Sequence, residues 1–147
     1  MAPILSQDAV LNRNVASYAS PNWDALSLVQ DLTLNLTKDT VDVSTRGGGG
    51  WGEEIDGLKH ATITFSMLYD TTDTDFTAIE AAFNANTAIE FFCSDGPAAT
   101  SGSEGLRAAC MVSGFTRNEN LGEALTVDVE LKPVKNADAA PAWYTVP

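Results

Sequence analysis

The sequence runs to 147 residues, enough for one domain with its own core, and sets 8 Lys+Arg against 20 Asp+Glu for a net charge of −12. That balance argues against direct binding of nucleic acid or of an anionic membrane, both of which need clustered cations. Hydrophobic residues make up 44% of the chain, so the acidity belongs to a surface and not to a disordered polypeptide.

The first twenty residues carry Asp8, lack a basic start and lack a sustained apolar core, which does not fit a secretory leader. Ala108–Val112, the longest unbroken apolar run, falls far short of a membrane span. Ala9–Ala19 offers one weak strand around Val10, Val15 and Tyr18, and Ser20-Pro21-Asn22 breaks it. After Trp23–Leu28, the leucines at 32, 34 and 36 alternate with Asp31, Thr33, Asn35 and Thr37, a half-buried strand. Val41 and Val43 alternate with Asp42 and Ser44, so Gln30–Thr37 and Thr40–Arg46 are expected to form a hairpin turning at Lys38-Asp39.

Gly47–Gly50 and the isolated Trp51 follow, in a stretch with no periodicity of its own. Four residues without Cβ are costly to order. The reading is an arm, Arg46–Leu58, that orders against something other than its own domain. Ala61–Tyr69 then alternates strictly, with Ala61, Ile63, Phe65, Met67 and Tyr69 on one face and Thr62, Thr64 and Ser66 on the other.

One helix is predicted around residues 73–85. Phe76, Ile79 and Phe83 fall at i, i+3 and i+7, and Asp73, Thr74 and Asp75 suit its amino end. Ala88–Ser94 reads as a compact strand. Leu106–Thr116 and Glu123–Lys132 read as a long hairpin around Arg117–Gly122, with Leu125, Val127, Val129 and Leu131 on one face of its second arm. The expected fold is mainly β, about six or seven strands in a sandwich or barrel with one flanking helix. Its expected organisation is an N-terminal segment 1–22, a β domain 23–134 and an extended tail 135–147.

Catalytic chemistry finds little support. His60 stands without an oriented nucleophile or partner motif, and reads as a surface histidine. Cys93 and Cys110 lack metal-ligand spacing and fit buried reduced thiols on neighbouring strands, with a bond across a hairpin the alternative. The glycine run has no Lys-Ser/Thr ending, and Glu53 and Glu54 stand where a phosphate would need cations. Asp70, Asp73 and Asp75 make a calcium loop thinkable, but the turn glycine and closing glutamate are missing and helix capping explains Asp73 and Asp75. No metal or cofactor is expected. Acidic residues on outward strand faces, Asp31, Asp128 and Glu130, fit either a solvated sheet or a surface that repels polyanions. Trp51 fits either a residue folded back on its own domain or an interface anchor.

The ordered set Val41, Val43, Thr45, Arg46, then Gly49-Gly50-Trp51, then Gly57-Leu58-Lys59, then Leu68-Tyr69-Asp70 before the helix resembles the major tail tube protein of long, non-contractile-tailed bacteriophages. An Ile-Glu-Phe-Phe strand and Gly105-Leu106-Arg107 opening the hairpin extend the resemblance over about Trp23–Val134. It implies a virion protein without catalytic activity, made in the bacterial host cytoplasm and forming hexameric rings that stack head to tail into a tube. Neighbouring subunits would join sheets around the ring. The arm, with Arg46, Gly47, Gly48, Gly49, Gly50, Trp51, Glu53, Glu54 and Leu58, would reach an adjacent ring. Asp31, Asp128 and Glu130 would line a lumen through which duplex DNA passes without being bound. Implied partners are the tape measure protein, the tail terminator and the distal tail protein. A calcium- or carbohydrate-binding β-sandwich and the tube protein of a contractile injection system are the alternatives.

Overall fold

A computed structural model describes residues 3–134 and 140–147. Among these residues there are eight strands: β1 (Val10–Asn14), β2 (Trp23–Ala25), β3 (Val29–Asp42), β4 (Glu54–Leu68), β5 (Ile89–Ser94), β6 (Glu104–Asn118), β7 (Thr126–Pro133) and β8 (Ala142–Thr145). One helix, α1 (Thr74–Ala85), lies between β4 and β5.

All eight strands join one antiparallel sheet in the order β2-β1-β5-β6-β7-β4-β3, with β8 alongside the start of β6. The fold is mainly β with one helix, as expected, and the described strands form a single sheet. Strand β6 is the reason. Its first part pairs with β5 on one side and β8 on the other, and from Cys110 onward it pairs with β7. A register shift between Val112 and Gly114 marks the passage. One 15-residue strand therefore carries the ladder from one half of the sheet into the other.

Alternation decides the core. Ile63, Phe65 and Met67 of β4 and Val127, Val129 and Leu131 of β7 are buried on one face. Leu11, Phe91, Cys93, Leu106, Ala108, Cys110 and Val112 join them in a single cluster. Helix α1 covers this face with Phe76, Ile79 and Ala82. Each fully buried large side chain of this kind stabilises the fold by about 1.5–3 kcal/mol. The predicted third member of the helical stripe, Phe83, sits at its margin, half exposed but stacked on Phe115 at 5.9 Å. Asp73 caps the helix by accepting from the Phe76 amide at 3.0 Å, and Asn86 closes it in the left-handed region at φ 57°.

On β1, β5 and the start of β6 the second face is covered as well. Phe92 is buried there beneath Trp23 and Tyr144, with ring centres 5.3 Å away in each case. Arg107, 8% exposed, packs beside them and pairs with Glu90. The boundaries read at residues 22 and 135 therefore do not bound the sheet, because β1 lies within it and β8 of the tail extends it.

The expected hairpin at Lys38-Asp39 does not form. Strand β3 runs straight through these residues and pairs with β4 along its length, with a register shift between Lys38 and Thr40. Gly57 sits against Asp39 there; a Cβ on it would lie 2.9 Å from both the Asp39 Cβ and carbonyl oxygen. The reversal comes eleven residues later, at the glycine run.

Candidate assembly surface

Beyond the body of the sheet, β3 and β4 continue as a two-stranded ribbon. Its paired positions include Thr40↔Asp56, Val41↔Ile55 and Asp42↔Glu54. The arm read as a loop over 46–58 is thus part strand, since Glu54–Leu58 already belong to β4. The tip is well specified. The Val43 amide donates to the Glu53 carbonyl at 2.9 Å, and the Glu53 amide donates to Ser44 Oγ at 2.7 Å. Ser44 also donates its amide to Asp42 at 2.8 Å, and its hydrogen bonds hold the Asp42 carboxyl below its ordinary range. Arg46–Gly48 makes a 3₁₀ turn, and Gly49 and Gly50 take φ of 68° and 88°, which only glycine adopts without strain.

The ribbon carries apolar side chains that no described residue covers. Val41, Val43, Ile55, Leu58 and Trp51 are exposed, Trp51 to 78%. Of the two readings left open for Trp51, folding back on its own domain is not what the chain does. Arg46 and the Glu53–Glu54 pair are exposed at the same tip.

The second surface is the outward face of the four-stranded panel β6-β7-β4-β3. The pairs Ser66↔Asp128 and Thr64↔Glu130 put both acidic residues of β7 opposite hydroxyls of β4. On the far side of β4, Thr33 pairs with Thr64, and the Asp31 amide donates to Ser66 Oγ at 3.4 Å. Asp31, Asp128 and Glu130 therefore share one shallow depression floored by Thr33, Thr64, Ser66 and Thr116. Asn118 donates to Asp128 at 2.8 Å. Ser113 donates to Glu130 at 3.1 Å, and Lys132 lies 3.4 Å from it.

Two sheet edges flank this panel, and the sequence reading named neither. The side of β3 away from β4 has no strand partner among the described residues. On β6, pairing with β5 ends at Ile89↔Cys110, and 111–118 have no strand partner on that side among the described residues. Unpaired edges of this length are templates for another chain.

The remaining candidates have local structural roles. His60 Nε2 lies 2.8 Å from Asp39 in an exposed pair. Asp70 accepts from the Thr72 amide and hydroxyl at 2.9 and 2.7 Å, which holds its carboxyl below the ordinary range. Asp75 is buried and pairs with Arg13 at 2.8 Å. Cys93 and Cys110 are free buried thiols, pushed up to about 12 by burial.

Residues 6–133 match the family described as phage tail tube protein. The chain belongs to that family. It is a structural family of the virion tail and not an enzyme family. Among solved structures, a subunit from the tail of an empty gene transfer agent particle, refined helically with C6 symmetry, superposes with a TM-score of 0.74 at 17% identity, over 95% of this chain and 98% of that one. The SPP1 tail tube matches with a TM-score of 0.72 at 12% identity, over 97% of this chain and 80% of that one. A chain of the 6-fold symmetrised anti-feeding prophage baseplate matches at 0.64 and 9% identity, over 99% and 98%. No curated protein sequence matches. At these identities the structural likeness is one of fold, and this phage tail tube protein shares it along nearly its whole length.

Proposed function

We propose that this tail tube protein closes into hexameric rings by joining the β3 edge of one copy to the 111–118 edge of β6 in the next. The observation that carries this reading is the panel itself: two unpaired edges flank a face rich in hydroxyls and carboxylates. Edge-to-edge pairing satisfies both strands and is directional, so copies continue around a ring until it closes. Two of the assemblies whose subunits share this fold have six-fold symmetry, which supports the same closure here.

In such a ring the face bearing Asp31, Asp128 and Glu130 turns inward. Cations in that position would gain counterion-release energy at each phosphate and hold DNA back. Repeated carboxylates instead make a wall that duplex DNA passes without binding. Rings stack head to tail, and the Arg46–Leu58 ribbon reaches the adjacent ring, where Trp51 and the exposed valines and isoleucine lose contact with water. Arg46 pairs with a carboxylate there. The tape measure protein fills the lumen before ejection, and the terminator and distal tail protein close the two ends.

Negative-stain microscopy of the purified protein over a range of concentrations tests the reading. Hollow filaments of constant width, or stacked rings, are the expected result. A protein that stays monomeric throughout overturns it.

A further inference from the structure

Strand register gives the subunit two poles. Pairing of β4 with β7 starts at Leu68↔Thr126 and ends at Ile63↔Leu131. The β6–β7 turn lies beyond the first pair and the arm beyond the second. At the arm pole, where β7 stops, a slot of about 790 Å3 opens between β4 and β8. Its apolar lining includes Leu36, Met111 and Trp143, all exposed large side chains. Lys38, Lys59 and Lys132 also line it. These are three of the eight cationic residues in a chain of net charge −12, gathered at one cleft.

The opposite pole presents a matching shape. In the turn Glu119–Glu123, Leu121 is fully exposed at the apex. Glu119 and Glu123 stand on either side of it, and both are exposed. An apolar knob flanked by carboxylates thus faces one way, and an apolar slot lined with lysines opens the other way.

We propose that the β6–β7 turn of one copy docks into the slot of a second copy in the adjacent ring. Leu121 enters between Leu36, Met111 and Trp143, and Glu119 and Glu123 meet Lys38, Lys59 and Lys132. Within one subunit these groups have only weak exposed partners: Glu119 lies 2.7 Å from Arg117, Lys38 is 3.6 Å from Asp56 and Lys132 is 3.4 Å from Glu130. Lys59 has no salt-bridge partner among the described residues. Exposed pairs of this kind exchange at little cost. The contact is heterologous, so it repeats from ring to ring without closing. It rests on the head-to-tail stacking proposed above, and it adds a second contact to the arm.

The test is tube assembly by purified variants, followed by sedimentation and microscopy. Leu121→Asp, the pair Glu119→Lys with Glu123→Lys, and the pair Lys59→Glu with Lys132→Glu are each expected to raise the critical concentration about tenfold or more. Combining the two charge-reversed pairs in one chain should bring it back toward wild type. Leu121→Cys with Met111→Cys should give an oxidised ladder of linked subunits in assembled tubes, since Cys93 and Cys110 are buried. Wild-type tubes with no effect of Leu121→Asp, no charge rescue and no ladder overturn the slot contact and leave the tube reading standing. Absence of wild-type tubes at every concentration overturns the tube reading and this contact with it.

Discussion

The guanidinium carbon of Arg107 lies 4.1 Å from the centre of the Tyr18 ring, and Arg107 Nη2 donates to the Tyr18 carbonyl at 2.7 Å. Trp23 and Tyr144 each bring a ring within 5.1 Å of the same cation. One buried arginine, paired with Glu90, thus ties the N-terminal segment, β2 and β8 to the sheet. Removing one member of a buried pair costs about 3–5 kcal/mol because the other charge is left uncompensated. Arg107→Ala is expected to lose that much by urea denaturation, with Arg107→Lys intermediate because ammonium keeps the charge but not the planar stack. A loss below about 1 kcal/mol would show that the cage is not what holds the termini.

Two residues before it, Gly105 pairs with Ser94 of β5. A Cβ on Gly105 would lie 1.5 Å from the Cys93 carbonyl oxygen, a backbone atom inside the sheet that has no room to retreat. Gly105→Ala is expected to cost about 4 kcal/mol or more, the range reserved for overpacked or broken cores. Recovery of soluble, cooperatively melting protein with near-normal stability would mean that β5 and β6 separate more easily than their register implies.

How far such features are legible in the sequence depends on what each element packs against. Strands β4 and β7 bury one face, so Ile63-Phe65-Met67 and Val127-Val129-Leu131 announce both their type and their parity. The same parity places Asp31, Asp128 and Glu130 on a common outward face. Helix α1 was legible from Asp73 and its apolar stripe. Strand β8 was not, because four residues after Pro141 show no period and exist as a strand only beside Glu104–Arg107. Beyond residue 36, β3 leaves the core behind, so its alternation no longer distinguishes a continuing strand from a turn at Lys38-Asp39. Free edges on β3 and β6 are invisible to any pattern within one strand, since they are defined by pairs that are not made.

Trp51 tests the arm alone. It is 78% exposed and its side chain contributes nothing to the buried core. Trp51→Ala should therefore leave monomer stability within about 0.5 kcal/mol of wild type while suppressing tube formation. A clear drop in monomer melting temperature would return Trp51 to its own domain and remove it as an anchor.

Asp75 gives the fold a pH dependence of known sign. Its carboxyl is raised from the usual 3.8 to about 6: burial is the largest cause, Arg13 opposes it, and the adjacent Asp24 adds to the rise. The folded state therefore holds a proton that the unfolded chain has lost between these two values. The stability from this group is complete below about 3.8 and disappears as pH rises through about 6. Asp75→Asn removes the titration. The melting temperature of wild type minus that of Asp75→Asn should rise as pH falls from 7 to 4, whatever the other carboxylates do to both. Parallel curves would show that Asp75 stays ionised in the folded protein.

The proposed lumen is tested by reversing its charge without disturbing the strands that bear it. Asp128 and Glu130 point away from the core between the buried Val127, Val129 and Leu131, so lysine at both positions leaves the apolar face intact. The cost to the monomer is the lost hydrogen bonds from Asn118 and Ser113, both exposed, about 1 kcal/mol or less. Asp128→Lys with Glu130→Lys should therefore fold and form rings. Each copy exchanges two carboxylates for two cations, and a closed ring multiplies that change along the whole tube. Phosphates moving past it would now release counterions on contact, a gain that weakens steeply as salt rises. DNA ejection from particles built with the variant should slow markedly at low salt and recover toward wild type at high salt. Ejection kinetics unchanged at every salt concentration would place these residues outside the lumen.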